Sequence, residues 1–282
     1  MTNQASLIFG IVTSLMALAA PVKALQVRLN PENPQLGDTI SVYVQTDTNS
    51  TPTVTAGDKN YPAFSLSPNS YRAFVPTTPL DSPGRMVIQV TGDGDVSNLA
   101  VGLRDRSFPT QRIRLRGAAN SSATQLELDR VAQFKTLLTP QKFWNGAFAR
   151  PSVARVSTIF GVRRYYNGVF AENYYHRGVD YAGGYGSPVF APAAGRVALV
   201  GTVAEGFRVH GNTIGVDHGQ GVLSIFLHLN KIHVQEGDFV QAGSRIGDIG
   251  STGASTGPHL HWGLYVNGVA VDPVPWRFGG IN

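Results

Sequence analysis

Short segments of alternating apolar and polar residues, separated by turns rich in glycine and proline, fill most of this chain and restrict it to a β-rich fold. Successive side chains of a β-strand point to opposite faces, so such alternation predicts half-buried strands. The pattern occurs in "DTISVYVQT", "SYRAFVPTT", "GRMVIQVTG", "NLAVGLRD" and "QRIRLRG". Turn sequences lie between them, among them "NPENPQLGD", "SPNS", "DSPG" and "TGDGD".

Two β domains are predicted. Residues 25–116 hold roughly seven short strands in about 90 residues, which predicts a β-sandwich of the immunoglobulin type. Of the 32 glycines, 23 lie in residues 151–282, which predicts a second, turn-rich β domain there. Residues 25–116 contain no cluster of titratable side chains, so we interpret them as a binding or positioning domain.

One stretch, "SATQLELDRVAQFKTLL", has a helical period. Ser122 or Thr124 is the predicted N-cap. The predicted buried face consists of Leu126, Val131, Phe134 and Leu138. The stretch belongs to a helical and irregular connector, residues 117–150, and the predicted fold is therefore mainly β, with two domains joined by a short helical segment.

The first 24 residues are predicted to be a signal peptide. An apolar stretch from Leu7 to Ala20 precedes "VKA" at residues 22–24, a small-residue cleavage site. Residues 2–10 contain no Lys or Arg, unlike most signals, and a membrane anchor is the alternative. The chain has no cysteine, which excludes disulfides and a lipid-modified cysteine.

The net charge of +5 is concentrated in the middle of the chain, because residues 104–150 carry nine Lys or Arg and three Asp or Glu. In "QRIRLRG", arginines alternate with apolar residues. This pattern is typical of the solvated face of a strand, and the alternative is contact with an anionic polymer. Nucleic acid is not predicted as a partner, because no reader motif or aromatic interleaving accompanies the arginines.

Two of the seven histidines stand one residue apart in "STGPHLHWGL". On a strand, His259 and His261 share one face while Leu260 points the other way, into a core. Imidazoles that converge on one point are typical of a metal site. The sequence lacks an HEXXH motif and a nucleophile elbow, so the common helix-borne zinc site and serine hydrolase chemistry are not indicated.

Two other stretches carry candidate groups. His176 and Asp180 stand four apart in "YYHRGVDYAGG", where Gly178 permits the bend that would let both reach one ion. His228 lies near the end of the apolar segment "GVLSIFLHLNKI". Taken singly, each is a weak signal.

Together these stretches resemble the lysostaphin/LytM-type zinc metallopeptidases, which cut peptide bonds in peptidoglycan. The resemblance runs from about Arg155 to Trp276 and agrees in order and spacing. It rests on "STIFGVRR", "HRGVDYAG", "GSPVFAPAAGRV", "GNTIGVDHGQG", "FLHL", "VQEGDFVQAGSRIGDIGSTG" and "TGPHLHWGL". The residues before it look like the N-terminal domain that accompanies some bacterial members.

The resemblance implies a role for each position. His176, Asp180 and His261 match the family's zinc ligands, and His228 and His259 match its two catalytic histidines. Substrate contacts are expected from Arg163, Arg164 and Tyr175. We interpret the remaining histidines as structural, namely His210, His218 and His233.

The resulting expectation is an exported protein of the periplasm, cell wall or extracellular space. Its domain at residues 151–282 is an antiparallel β-sheet peptidase with an active-site groove. With Zn²⁺, it hydrolyses peptidoglycan cross-bridges or stem peptides. The alternative is a catalytically silent member that binds peptidoglycan and activates another wall hydrolase. A lipoyl-type carrier is not favoured, because Lys231, the only lysine after residue 150, lacks the required context. We also hypothesise that the connector at 139–150 reaches the groove and restrains the enzyme.

Overall fold

A computed structural model describes residues 25–114 and 122–279 of the chain. The predicted signal peptide, residues 1–24, lies outside these ranges. Among the described residues, no helix has the length and apolar character needed to cross a membrane. Strands account for most of the regular structure, as the alternation predicts.

The N-terminal unit is a sandwich of two four-stranded antiparallel sheets. Its strands are β1 (Gln26–Asn30), β2 (Thr39–Gln45), β3 (Thr53–Ala56), β4 (Lys59–Tyr61), β5 (Ala63–Ser67), β6 (Ser70–Pro76), β7 (Gly84–Gly92) and β8 (Asp95–Leu103). The sheet orders are β1-β2-β6-β5 and β4-β3-β7-β8. This is the immunoglobulin order with one added edge strand, and the predicted sandwich is confirmed. Ile40, Val54 and Ile88 are fully buried in its core.

The C-terminal unit is built on a ten-stranded sheet. Its strands are β10 (Arg155–Thr158), β13 (Val179–Ala182), β14 (Pro188–Phe190), β15 (Gly195–Gly201), β16 (Asn212–Gly219), β17 (Val222–Ile232), β18 (Phe239–Val240), β19 (Arg245–Ile249), β20 (Leu260–Val266) and β21 (Val269–Val271). Their central order is β10-β13-β20-β17-β16-β15-β18. Two 3₁₀ helices, Val203–Glu205 and Pro275–Phe278, accompany them. All pairs in this sheet are antiparallel.

A small separate sheet joins the two units. It consists of β9 (Thr110–Ile113), β11 (Arg163–Tyr166) and β12 (Val169–Phe170), in the order β12-β11-β9. The pairing of β9 with β11 is parallel, with Gln111 opposite Arg164 and Ile113 opposite Tyr166. A strand that follows the sandwich is thus added to the C-terminal unit.

The helix α1 (Gln125–Lys135) begins at Thr124, whose hydroxyl accepts the N–H of Glu127. Val131 and Phe134 are buried, as the helical period predicts. The prediction was wrong for the two other apolar positions, because Leu126 and Leu138 are each 48% exposed. Glu127 occupies the buried face instead, at 0% exposure.

The connector at residues 139–150 is fixed to the core of the C-terminal unit. The N–H of Phe143 donates to the carbonyl of His218, and that of Phe148 donates to the carbonyl of Trp276. Trp144 and Phe148 are both buried against this core. The connector therefore forms part of the hydrophobic core.

The sandwich packs on the C-terminal unit through β6. Arg72 is 1% exposed, donates to the side chain of Gln220 at 2.6 Å, and lies over the rings of Phe74 and Trp144. Phe74 also contacts Trp276, with ring centroids 5.5 Å apart. This shared aromatic cluster makes the two units one packed body.

Candidate active site

The central ladder of the C-terminal sheet aligns two of the candidate ligands. Asp180 in β13 and His261 in β20 are directly opposite each other, so their side chains share one face. Gly178 allows the strands to approach, because a Cβ there would overlap the carbonyl oxygen of Trp262. The same Cβ would lie 2.8 Å from Nε2 of His261.

Three side-chain atoms converge at this point. Oδ1 of Asp180 lies 2.9 Å from Nε2 of His176 and 2.9 Å from Nδ1 of His261. The two nitrogens are 3.0 Å apart. The other ring nitrogen of His176, Nδ1, lies 2.8 Å from the carbonyl of Ile159, to which it donates its proton. This bond orients the ring so that Nε2 is directed at the other two atoms.

The donor set fits a divalent cation. Burial acts to raise the pKa of the Asp180 carboxyl, but its hydrogen bonds with His176 and His261 hold that pKa well below the ordinary value. Burial lowers the pKa of His261 to about 4. With the carboxylate ionised and both imidazoles deprotonated at these nitrogens, three lone pairs would meet at one point, which is unfavourable without a shared proton or a cation. Two nitrogens and one oxygen are ligands that Zn²⁺ accepts, and catalytic zinc sites use three protein ligands.

A bulge in β17 brings His228 to the same face. Leu227 pairs with His261, so strict alternation would turn His228 to the opposite side of the sheet. The register of β16 and β17 shifts here, and His228 has a φ of 64°, in the left-handed region. The irregularity turns its ring into the groove, 4.8 Å from that of His259 between centroids.

The protonation of His228 follows from its surroundings. Burial, reinforced by the neighbouring His259 and His261, lowers the pKa of His228 to about 3, so the ring is neutral at pH 7. Its Nδ1–H donates to the carbonyl of Thr252 at 2.8 Å. Nε2 is consequently the nitrogen that can accept a proton.

His259 precedes β20 and faces the cluster from the other side. Its Nδ1–H donates to the carbonyl of Gly257 at 2.8 Å, and its Nε2 lies 4.0 Å from Oδ1 of Asp180. Leu260 is fully buried, as the alternation in "HLH" predicts. The structure thus brings all five predicted residues together.

The five residues form the floor of a groove of about 710 Å³. One wall is the small sheet, from which Gln111 and Ile113 of β9 and Arg164 and Tyr166 of β11 face inward. The side chain of Arg164 donates to that of Gln111 at 3.2 Å and lies 3.7 Å from Oδ2 of Asp180. The N-terminal part of the chain thus supplies part of the groove, whereas the connector at 139–150 lines none of it.

Of the three predicted substrate contacts, one lines the groove and two do not. Arg164 lines the groove, but Arg163 lies on the opposite face of β11 and donates to the backbone carbonyl of Tyr174. Tyr175 is buried with its hydroxyl on the carbonyl of Ala270 and does not line the groove. Sequence reasoning missed Arg177, an exposed residue that also lines the groove.

Comparison with known proteins agrees with this geometry. Residues 174–273 match the profile of Peptidase family M23. DD-carboxypeptidase/endopeptidase Mpg of Neisseria meningitidis is 38% identical over 120 residues, which are 43% of this chain and 26% of that protein. Lysostaphin of Staphylococcus staphylolyticus is 42% identical over 106 residues, which are 36% of this chain and 22% of that protein. The chain thus spans about a quarter of the length of these curated relatives.

The similarity to a solved structure extends beyond the matched segment. A crystal structure of an M23 peptidase from Pseudomonas aeruginosa superimposes with a TM-score of 0.63 at 25% identity, over 87% of this chain and 95% of that one. The three converging ligand atoms and the two further histidines all belong to residues 174–273. The chain therefore carries a peptidase domain of family M23 over those residues.

Proposed function

We propose that this protein is a zinc-dependent endopeptidase that hydrolyses peptide bonds in peptidoglycan cross-bridges or stem peptides. The observation that carries the proposal is the convergence of His176, Asp180 and His261 on one point, with His228 and His259 beside it. The name of a further relative supports the same class of substrate, since ShyC of Vibrio cholerae is named a peptidoglycan DD-endopeptidase.

The five residues divide the chemistry between them. His176, Asp180 and His261 would hold Zn²⁺, which when bound lowers the pKa of water and polarises a carbonyl. His228 and His259 each have Nδ1–H bonded to a carbonyl, so Nε2 of each is available to the reacting groups. One of them accepts the proton of the attacking water and passes it to the leaving amine. The other, when protonated, donates a hydrogen bond to the developing oxyanion.

The charge of the groove favours an acidic peptide. Among the described residues that line it, Arg164 and Arg177 are cationic and Asp180 is the one carboxylate. Because Asp180 belongs to the ligand cluster, the rest of the groove has a positive potential. Stem peptides carry free carboxylates and glycine bridges carry none, so we propose directly cross-linked stem peptides as the preferred substrate.

Digestion of purified cell walls of known cross-link chemistry tests the activity. We expect the zinc-loaded protein to release soluble muropeptides whose masses identify the bond cut, and a chelator to stop the release. Faster hydrolysis of directly cross-linked walls than of glycine-bridged walls is expected. Zinc-loaded protein that hydrolyses neither wall would favour the alternative, a silent member that activates another hydrolase.

A pair of variants tests the charge argument. Arg177→Gln removes a cation from the groove, so the KM for acidic muropeptides should rise several-fold while the KM for a glycine-bridge peptide stays unchanged. Arg112→Gln is the control, because Arg112 lies over Tyr165 on the outer face of the small sheet and does not line the groove. Equal effects of the two variants would contradict a role for groove charge.

Export is part of the proposal, since the substrate lies outside the cytoplasm. The apolar stretch from Leu7 to Ala20 and the "VKA" site support cleavage after Ala24. N-terminal sequencing of the exported protein should find Leu25 first. Recovery of residues 1–24 still attached would favour the membrane anchor instead.

A further inference from the structure

Glu127 on α1 is a buried carboxylate outside the matched family segment. Its side chain is 0% exposed, whereas the neighbouring leucines at 126 and 128 are 48% and 50% exposed. Burying a carboxylate instead of a leucine is costly unless hydrogen bonds replace those to water. The bonds that this carboxylate makes therefore indicate its function.

The carboxylate of Glu127 binds one loop of the C-terminal unit. It accepts the backbone N–H groups of Arg208 at 2.9 Å, Val209 at 3.0 Å and His210 at 2.6 Å. It also accepts the Nδ1–H of the His210 ring. Burial acts to raise the pKa of Glu127, but the bonds from His210 and Val209 lower it to about 2, so the group is ionised at neutral pH.

The bound loop reaches the active site by two further hydrogen bonds. The carbonyl of His210 accepts the backbone N–H of His228 at 3.0 Å, and the carbonyl of Val209 accepts that of Ala254 at 2.9 Å. All four of these residues line the groove. The bond from His228 is made at the bulge, where its backbone has the left-handed φ that turns its ring toward His259.

We infer that Glu127 is a positioning residue for the active site: by holding the loop at 208–210, it fixes the backbone of His228 and the groove wall formed by Val209 and His210. The inference rests on the proposed function for its catalytic consequence. Helix α1 precedes the family segment, and through Glu127 it contributes to the positioning of the active site.

Glu127→Gln tests the inference with little change in shape. Glutamine offers one acceptor oxygen, and its NH₂ group would face the loop's N–H donors, so the loop must shift. A misplacement of about 1 Å can cost about 10²-fold in rate, so we expect kcat to fall by about 10- to 100-fold with KM little changed. Zinc content should stay at the wild-type level, because Glu127 touches none of the three ligands.

Glu236→Gln is the matched control. The carboxylate of Glu236 also ties α1 to the sheet, through Arg130 and the N–H of Val200, but it does not line the groove. We expect wild-type kcat in this variant. Glu127→Asp keeps the negative charge on a side chain that is one methylene shorter, so its kcat should fall less than that of Glu127→Gln. This variant replaces Glu127→Gln in the test if the glutamine variant does not fold.

A second readout does not depend on activity. Imidazole ¹⁵N and ¹H chemical shifts of His210 and His228, measured in the full chain with zinc, should change in Glu127→Gln and stay constant in Glu236→Gln. Wild-type kcat or unchanged His228 shifts in a folded Glu127 variant would overturn the inference and leave Glu127 a stability anchor only. If the wild-type protein hydrolyses no wall, the proposed function fails, and the His228 shifts alone then decide whether Glu127 positions that ring.

Discussion

At the scale of single residues, the three converging atoms predict which side chains hold the metal. His176, Asp180 and His261 each contribute one donor, and alanine at any of them leaves only two. We expect each variant to lose zinc or bind it far more weakly, and hydrolysis to be lost with it. Metal content after dialysis against buffered zinc, measured beside turnover, checks this. A His261→Ala protein with full zinc occupancy would contradict the assignment.

The two other histidines should behave differently. His228 and His259 have Nδ1 bonded to backbone carbonyls and lie outside the cluster, so alanine at either should leave zinc bound. Hydrolysis should nevertheless slow by about 10²–10⁴-fold, the usual contribution of a positioned acid or base. The same zinc and turnover measurements apply. If His259→Ala emptied the site while His261→Ala did not, the division of "HLH" would be reversed.

The local pattern of the sequence predicts some of these positions and not others. Alternation places His259 and His261 on one face and Leu260 in the core, and the structure agrees. The same rule would place His228 on the wrong face, because nothing in "FLHLN" marks the bulge that turns it. His228 is predicted as a site residue only from the resemblance to the family. A family motif identifies such a position by sequence alone, so it includes His228 although a backbone irregularity is needed to turn the ring into the groove.

At the scale of elements, the pairing of β13 with β20 depends on Gly178. A Cβ at this position would overlap the carbonyl of Trp262 and crowd the ring of His261. We expect Gly178→Ala to destabilise the fold by about 1–3 kcal/mol through forced backbone shifts. It should also weaken zinc binding, because Asp180 and His261 are paired across these strands. Thermal unfolding and zinc affinity are the measurements.

Gly184→Ala is the control for this prediction. A Cβ at Gly184 would find Ser187 Oγ at 3.6 Å as its one neighbour, which is ordinary contact. The free energy of unfolding of this variant should differ from that of wild type by no more than about 0.5 kcal/mol, as is usual for surface substitutions. Comparable losses of stability and zinc affinity in the two alanine variants would refute the close-approach argument.

Helix α1 shows why an apolar period can assign the wrong face. Val131 and Phe134 are buried as predicted, but Glu127 and not Leu126 completes the buried face. The choice depends on the loop at 208–210, about 80 residues away, whose N–H groups need an acceptor. The apolar pattern of the helix contains no information about those N–H groups. The local sequence of β9 likewise does not predict that it pairs in parallel with β11.

The carboxylate of Glu127 should make stability depend on pH. Its pKa is about 2 in the folded protein and near the ordinary value of 4.5 when unfolded. Its stabilisation is therefore fully present above about pH 4.5 and is lost as the pH falls toward 2. We expect wild type to exceed Glu127→Gln in unfolding free energy by about 1–3 kcal/mol at pH 6, and the gap to narrow at pH 3. A constant difference in unfolding free energy between the two proteins, measured by urea unfolding at pH 6 and at pH 3, would contradict this.

At the scale of the whole molecule, the two β units share a core. Arg72 of the sandwich is buried between Phe74 and Trp144 and bonds to Gln220. Arg106 forms an ion pair with Asp272 at 2.8 Å. Composition and turn sequences predict two β domains. They do not predict the contact between the domains, because the sequence around a single arginine or aromatic residue does not indicate which distant residues it will contact.

In this arrangement the residues before 151 are expected to support the active site, which is the opposite of the hypothesis that the connector restrains the enzyme. Residues 139–150 bury Trp144 and Phe148 in the core and line none of the groove, whereas Gln111, Ile113 and Glu127 build or hold its walls. Residues 151–282 alone should therefore be less stable than residues 25–282 and should hydrolyse walls more slowly. The loss of a buried tryptophan or phenylalanine side chain typically costs about 3–5 kcal/mol, which is a large part of a domain's stability. Unfolding temperature and hydrolysis at equal zinc occupancy compare the two chains. Faster hydrolysis by residues 151–282 would contradict this expectation and restore the restraint hypothesis.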